Sequence, residues 1–330
     1  MLSWTEILLE LLRCHSTPGD EGEVAAVLER AWTAAGWRVT GHGRYALSAA
    51  RPAARGRGKK PVLLVCAHMD SPGFTVDRIQ GRRVELVPLG GPHVESGRTP
   101  AVLKTAAGKH AILLRHIRLP KGERERFSAT LPPGVSVEHG DRVAYAYAPE
   151  IAAASGEITA PFLDNRLGCV LVAELARGLP AAGELAFDVV LGATACEEMG
   201  GFGAPVLARA VQPDLVLCLD ATYEAPEQGV RLGEGPVLTL SDASVLLSPA
   251  TRDRVRAWFE KQGLPLQTEV YNFSGTDSRA FPLHGLPCPV LPLLLATRGN
   301  HSPVETADRR DVETLLAALR RFAADPPELT

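Results

Sequence analysis

Glu197 and Glu198 stand side by side in GATACEEMGG (192–201), at the end of the apolar run AFDVVLGATA. Two adjacent carboxylates leaving a buried strand repel each other and are costly to desolvate. A nearby positive charge would offset both costs. Other cation-binding residues occupy comparable places. His68 ends PVLLVCAH, with Asp70 two residues on, and Asp220 ends LVLCLD. His301 follows PVLPLLLATRGN, and Asp164 precedes a helical pattern that begins near Asn165. Taken singly, each has an ordinary explanation. Asp164 suits a helix N-cap, a glutamate pair opening a helix complements its dipole, and a histidine after a strand is usually a satisfied polar group. Taken together, two imidazoles and several carboxylates form a ligand set for zinc, cobalt or manganese. A carboxylate two residues after a metal-bound histidine can accept its other N–H and set its tautomer, which is the place of Asp70. One aspartate can bridge two metals. Adjacent residues leaving a strand point different ways, so one glutamate can ligate while its neighbour acts as general base on a metal-activated water.

Positioning such a set requires strand ends gathered at one edge, and the surrounding pattern predicts this. Before residue 73 the chain shows two helical segments, a hairpin in WRVTGHGRYALSAA and the continuous apolar strand PVLLVCAH. From about Phe74 to Ala160 short alternating segments appear, FTVDRIQ, RRVELVP, KHAILLRHI and DRVAYAY, divided by Gly and Pro turns. After Pro161 helices and strands alternate to the end. This predicts an α/β domain, residues 1–73 and 161–330, with a mainly parallel sheet and helices on both faces. Residues 74–160 form an inserted, small β-barrel-like domain. In a parallel sheet ligands collect outside the carboxyl ends of the strands, where the candidate residues fall.

Composition narrows the class. The chain has 330 residues, a formal net charge of -3 and 45% hydrophobic residues, which suits a globular protein with a sizeable core. The most basic stretch, RPAARGRGKK (51–60), lacks interleaved aromatics and reads as a solvated loop, so no nucleic-acid partner is expected. Six cysteines, none in a CxxC pair, predict a reduced, cytoplasmic protein without a disulfide framework. No apolar run reaches membrane-spanning length, and MLSWTEILLELLRCHS reads as a surface helix rather than a signal peptide.

The motifs AHMD (67–70), FLDNRLGC (162–169), ACEEMGGFGA (195–204), LDAT (219–222), SGTDSRAF (274–281) and RGNHSPVE (298–305) resemble, in order and across most of the chain, the co-catalytic metallo-aminopeptidases of clan MH. The insertion between His68 and Asp164 is similar to that of the M42 family, the glutamyl and deblocking aminopeptidases. The resemblance implies two divalent ions per subunit, Zn2+ or Co2+ first and Mn2+ as a further option. It implies His68, Asp164, Glu198, Asp220 and His301 as ligands, with Asp164 bridging, Glu197 as base and Asp70 supporting His68. It further implies release of N-terminal residues from short peptides and a homo-oligomeric assembly.

Some positions depart from the family pattern. Ser71 and Pro72 follow HMD where Glu is usual, Gly299 replaces a tyrosine, and the stretch from Leu119 to Val137 is short. Arg279 follows GTD where small residues are usual. Its ordinary reading is a loop charge. A sharper one has it pair with a substrate carboxylate and favour acidic N-terminal residues. Asp277 is a candidate for orienting a substrate amine, with loop capping as the alternative. On the same site, carboxypeptidase or N-acyl amino acid deacylase action is the alternative chemistry. A non-catalytic binding or assembly protein is the alternative class.

Overall fold

The computed structural model describes residues 3–51, 60–94, 97–117, 125–271 and 274–329. Most of RPAARGRGKK and the beginning of the short 119–137 stretch lie outside them. Helices α1 (Trp4–Leu12) and α2 (Gly22–Ala34) come first, followed by the hairpin β1 (Arg38–His42) and β2 (Ala46–Ala50) and then β3 (Val62–His68). Ser3 and Glu6 close a capping box on α1. Trp32 and Trp37 each donate an indole N–H to main-chain carbonyls further along the chain, at Val172 and Ala176.

The next strands are β4 (Gly73–Gln80), β5 (Arg83–Leu89), β6 (Arg98–Thr105), β7 (Gly108–Ile117), β8 (Arg126–Thr130) and β9 (Arg142–Tyr145). They close into a six-stranded barrel in the order β4-β5-β8-β7-β6-β9. Alternate residues, among them Phe74, Val84, Leu86, Leu103, Leu114, Phe127 and Val143, fill the barrel as a separate hydrophobic core. Strands β10 (Glu150–Ile151) and β11 (Glu157–Ala160) follow, but β10 pairs with β11 and β11 with β17 (Glu305–Asp308), apart from the barrel.

The remainder supplies α3 (Leu163–Gly178), β12 (Asp188–Thr194), α4 (Gly203–Val211), β13 (Leu215–Tyr223), β14 (Val237–Ser241), α5 (Pro249–Lys261), β15 (Gln267–Val270), α6 (Ala280–Leu283), β16 (Val290–Thr297) and α7 (Arg309–Ala324). An eight-stranded sheet forms in the order β1-β2-β12-β3-β13-β16-β14-β15. It is parallel through β12, β3, β13 and β16, and again between β14 and β15. It is antiparallel where the hairpin joins and where β14 meets β16, so the sheet is mixed rather than uniformly parallel. Strand β14 carries a short apolar pattern between Gly–Pro and Ser–Asp, too brief to stand out in the sequence.

Helices cover both faces. Leu63, Val65 and Ala67 of β3 pack into the core shared with α1, α2, α3 and α7, whereas Leu64 and Cys66 pack into the core holding Leu207 of α4 and Phe281 of α6. The two-residue period of the strand makes this division. Helix α3 is buried along nearly its whole length. Between Leu167 and Ala173 it is apolar on every side, because sheet and helices surround it. Among the described residues, no helix is long and apolar enough to cross a membrane.

Candidate active site

The four adjacent parallel strands end side by side, and their ends carry the candidate ligands. His68 is the last residue of β3 and lies opposite Thr194, the last of β12. Glu197 and Glu198 follow three and four residues after Thr194, and Asp220 lies within β13. His301 sits in the turn between β16 and β17, at φ 64. The helical dihedrals of α3 begin only after Asn165, so Asp164 (φ -81, ψ 105) is not a cap. Its carboxylate turns toward the histidines instead.

His68 Nε2 lies 3.1 Å from Asp220 Oδ1 and 3.2 Å from Asp164 Oδ1. His301 Nε2 lies 3.6 Å from Asp164 Oδ2 and 3.5 Å from Glu198 Oε1. Three groups gather donor atoms within 4.8 Å of one another: His68, Asp164 and Asp220; Asp164, Glu198 and His301; and His68, Glu197 and Glu198. All six line one cavity. The structure therefore brings together every ligand expected from the sequence, with the candidate base beside them.

Both imidazoles are held by carbonyls. His68 Nδ1 is 3.0 Å from the Asp70 carbonyl oxygen, and His301 Nδ1 is 3.3 Å from that of Gly91. A carbonyl only accepts, so each Nδ1 carries a proton and each Nε2 is left for a cation. For His68 this differs from the expectation, because the Asp70 carboxylate stays 3.7 Å from the ring. That carboxylate instead accepts the amide N–H groups of Glu197 (3.0 Å) and Glu198 (3.1 Å). The glutamates lie in a turn, not on alternating faces of a strand. Asp70 pins both amides, and both side chains line the same cavity.

The charge balance is unusual. Burial pushes Glu197 and Glu198 well above the ordinary carboxylate range, with neighbouring carboxylates adding to it. Asp220 is raised too, mainly by burial. Burial alone would depress His68, but Asp220, Asp164 and Asp70 outweigh it and hold the imidazolium well above its usual range. Asp164 moves down because the His301 and His68 contacts overcome its burial. Asp164 Oδ1 and Glu198 Oε1 are buried with no hydrogen-bond partner among the described residues. Orphaned oxygens, excess negative charge and two Nε2 atoms facing the same space are the environment a divalent cation satisfies. The residues fit a metal centre.

Three further contributors had no role in the sequence reading. Glu305, at the start of β17 and buried, accepts the amide N–H of Asp164 (2.9 Å) and that of His301 (2.9 Å). It thereby fixes two candidate ligands from one carboxylate. Its position in RGNHSPVE was visible, but its reach back to Asp164 required the fold. Glu305→Ala is expected to lower metal affinity by roughly 10–100-fold, read by competition with a chromogenic chelator. Unchanged affinity would remove Glu305 from the site.

Ser71, at the position where the family has Glu, donates to the Asp164 carbonyl (2.6 Å) and accepts from the buried Arg166 (3.1 Å). The loop after β5 is the third contributor. Gly91 holds His301, and the His93 N–H donates to the His301 carbonyl. A Cβ at Gly90 would meet Glu198 Cβ at 2.7 Å, so only glycine lets the barrel approach this closely. Gly299 has φ +74, and a Cβ there would meet the Val304 carbonyl oxygen at 2.9 Å, so this turn favours glycine.

Asp277 and Arg279 do not line the cavity. Asp277 is buried, accepts from the Thr194 hydroxyl and is pushed up to about 7, chiefly by burial. Arg279 is half-buried, and its guanidinium lies against Gly201.

The M42 glutamyl aminopeptidase family matches residues 133–317. A lysyl aminopeptidase of Pyrococcus furiosus is 26% identical over 79% of this chain and 80% of its own length. A glutamyl aminopeptidase of Lactococcus lactis is 29% identical over 73% and 74%. Among solved structures, a TET aminopeptidase from a marine sediment archaeon of the Thaumarchaeota superposes with TM-score 0.88 at 22% identity, covering 98% of both chains. The TET1 peptidase of Pyrococcus horikoshii does so with TM-score 0.82 at 23% identity, covering 98% of this chain and 100% of its own. The chain belongs to the M42 family of aminopeptidases, hydrolases that act on peptides.

Proposed function

We propose that this protein is a two-metal exopeptidase that removes residues from the free N-termini of short peptides. The observation that carries this reading is the position of Asp164. One of its oxygens faces His68 and the other faces His301, so among the three donor groups it joins the one holding His68 and Asp220 to the one holding Glu198 and His301. His68, Asp164 and Asp220 would hold one cation, and Asp164, Glu198 and His301 the other. Histidine and carboxylate donors suit zinc or cobalt, and also manganese. When bound, such cations polarise a scissile carbonyl and make water a better nucleophile.

Glu197 is the carboxylate left over from the two sets, and it is the general base. It takes a proton from the attacking water and returns it to the leaving amine. Asp70 holds its amide, which aims the side chain into the cavity. The zinc-exopeptidase type of fold goes with this reading. So does the division of the chain into a catalytic part, 1–73 and 161–330, and an inserted part, 74–160; the separate barrel core supports it for β4 to β9, whereas β10 and β11 share a sheet with β17, and Ile158 and Ala160 pack in the main core. A homo-oligomer is the expected context, because the P. horikoshii TET1 peptidase assembles into a tetrahedron or a larger octahedral shell. A cytoplasmic location completes the proposal.

Incubating the metal-loaded protein with a peptide pool, half of it N-acetylated, and reading products by mass spectrometry tests the reaction. Stepwise trimming of free N-termini alone is expected. Trimming from C-termini, or release of acetate, would move the chemistry to a carboxypeptidase or a deacylase.

A further inference from the structure

The cavity does not stop at the ligands. Beyond Asp220 it continues along Thr222 and Tyr223 of β13, Thr239 of β14, Glu269 and Tyr271 at the end of β15, Leu294 of β16, and Asp242. Leu294 and the two tyrosines give this end an apolar and aromatic side. Tyr223 and Tyr271 pair with ring centroids 5.9 Å apart, and Leu294 is buried opposite Asp220. Among the described residues that line the cavity there is no lysine or arginine.

The most buried charged group at this end is a carboxylate. Glu269 is 7% exposed, and its two oxygens accept the hydroxyls of Thr222 (2.7 Å) and Thr239 (2.7 Å). No ion pair reaches it among the described residues. Asp242, half-buried nearby, adds a second negative charge and raises Glu269 further beyond the effect of burial. Asp242 accepts the amides of Ser244 and Val245, and the charge of Arg279 acts on it from outside the cavity.

The spacing suits a substrate side chain. Thr222 lies two residues beyond Asp220 on the same face of β13, about 7 Å along the strand. One further hydrogen bond reaches Glu269. A chain bound with its scissile carbonyl at the ligand cluster would run its first side chain into this space.

We infer that this end of the cavity is the side-chain pocket for the substrate's N-terminal residue, and that Glu269 selects a cationic one, lysine or arginine. The inference rests on the aminopeptidase reading above. The aliphatic stem lies against Leu294 and the two tyrosines, and aromatic faces also favour a cation. The charged head meets Glu269, already oriented by the two threonines. An acidic side chain would face Glu269 and Asp242 with no lysine or arginine lining the cavity to compensate, which is the opposite of the preference considered for Arg279. If Glu269 only tied β13 to β14, its replacement would change stability without changing the ranking of substrates.

The test compares kcat/KM of the metal-loaded wild type and Glu269→Gln on Lys-, Arg-, Leu- and Glu-p-nitroanilide. Wild type is expected to prefer Lys and Arg over Leu by roughly 10–100-fold, and Glu269→Gln to lose most of that ratio. A wild-type preference for Leu or Glu overturns the inference, even if the variant does not fold. So does an unchanged ratio in a folded variant. Binding of lysinamide against leucinamide to the wild type, by calorimetry, addresses the pocket without turnover. Tighter lysinamide binding with no cleavage of any anilide would keep the pocket and sink the aminopeptidase reading. Equal binding would sink the pocket.

Discussion

Glu197→Gln is expected to lower kcat by roughly 10²–10⁴-fold, with KM changed little and metal content unchanged. Glutamine keeps the size of the side chain, so the turn held by Asp70 should survive. What disappears is the ability to accept a proton. The effect falls on kcat because proton transfer belongs to the transition state, whereas substrate binding uses other residues. The variant should be no less stable than the wild type without metal, because burial and the neighbouring Asp220, Asp277 and Asp70 disfavour the Glu197 charge. Steady-state kinetics with metal analysis decides the matter. A decrease below about tenfold would leave Glu197 without the role of base. A parallel loss of metal would make it a ligand instead.

Glu198→Gln is expected to act on the metal and, in the opposite direction, on the metal-free fold. In the proposed site Glu198 shares a set with Asp164 and His301, so the variant is expected to bind one ion per subunit tightly, against two expected for the wild type, and its activity should collapse. In the metal-free protein the substitution should stabilise. Burial raises the Glu198 pKa first, and the Asp164 and Glu197 charges raise it further. A carboxyl raised in the folded state contributes most below its unfolded pKa, about 4.3. That contribution is lost as pH rises through the folded value.

The metal-free wild type should therefore lose stability relative to Glu198→Gln as pH rises from about 4 into the raised range. Adding metal should reverse the order, because a ligand that binds only the folded state stabilises it. Thermal unfolding of both proteins across pH, with and without chelator, provides the comparison. A variant less stable than wild type in chelator at neutral pH would show that Glu198 carries a favourable interaction of its own.

These expectations rest on residues that are largely legible in the sequence. His68, Asp164, Glu198, Asp220 and His301 were visible because each stands at the end of a recognisable apolar run or next to a helical pattern, and because two imidazoles and several carboxylates form a coherent donor set. The α/β alternation after Pro161 and the short β segments after Phe74 were visible because the side-chain period is local. What the sequence by itself determined was the inventory of candidate ligands, the layered architecture and the family.

Tertiary structure decided how those residues are held. The carboxylate of Asp70 went to two backbone amides, because the turn after β12 brings the Glu197 and Glu198 N–H groups to it, while its carbonyl took the His68 ring. Glu305 became the common support of Asp164 and His301 across 141 positions of sequence. Gly91 reached His301 from the barrel, 210 positions away. Glu269 entered the cavity because the short strand β14 crosses antiparallel to β16 and places Thr239 beside it. Each of these is a pairing between distant segments. Local pattern reports which residues can do chemistry, but a hydrogen bond between segments far apart exists only once the strands have taken their order and register.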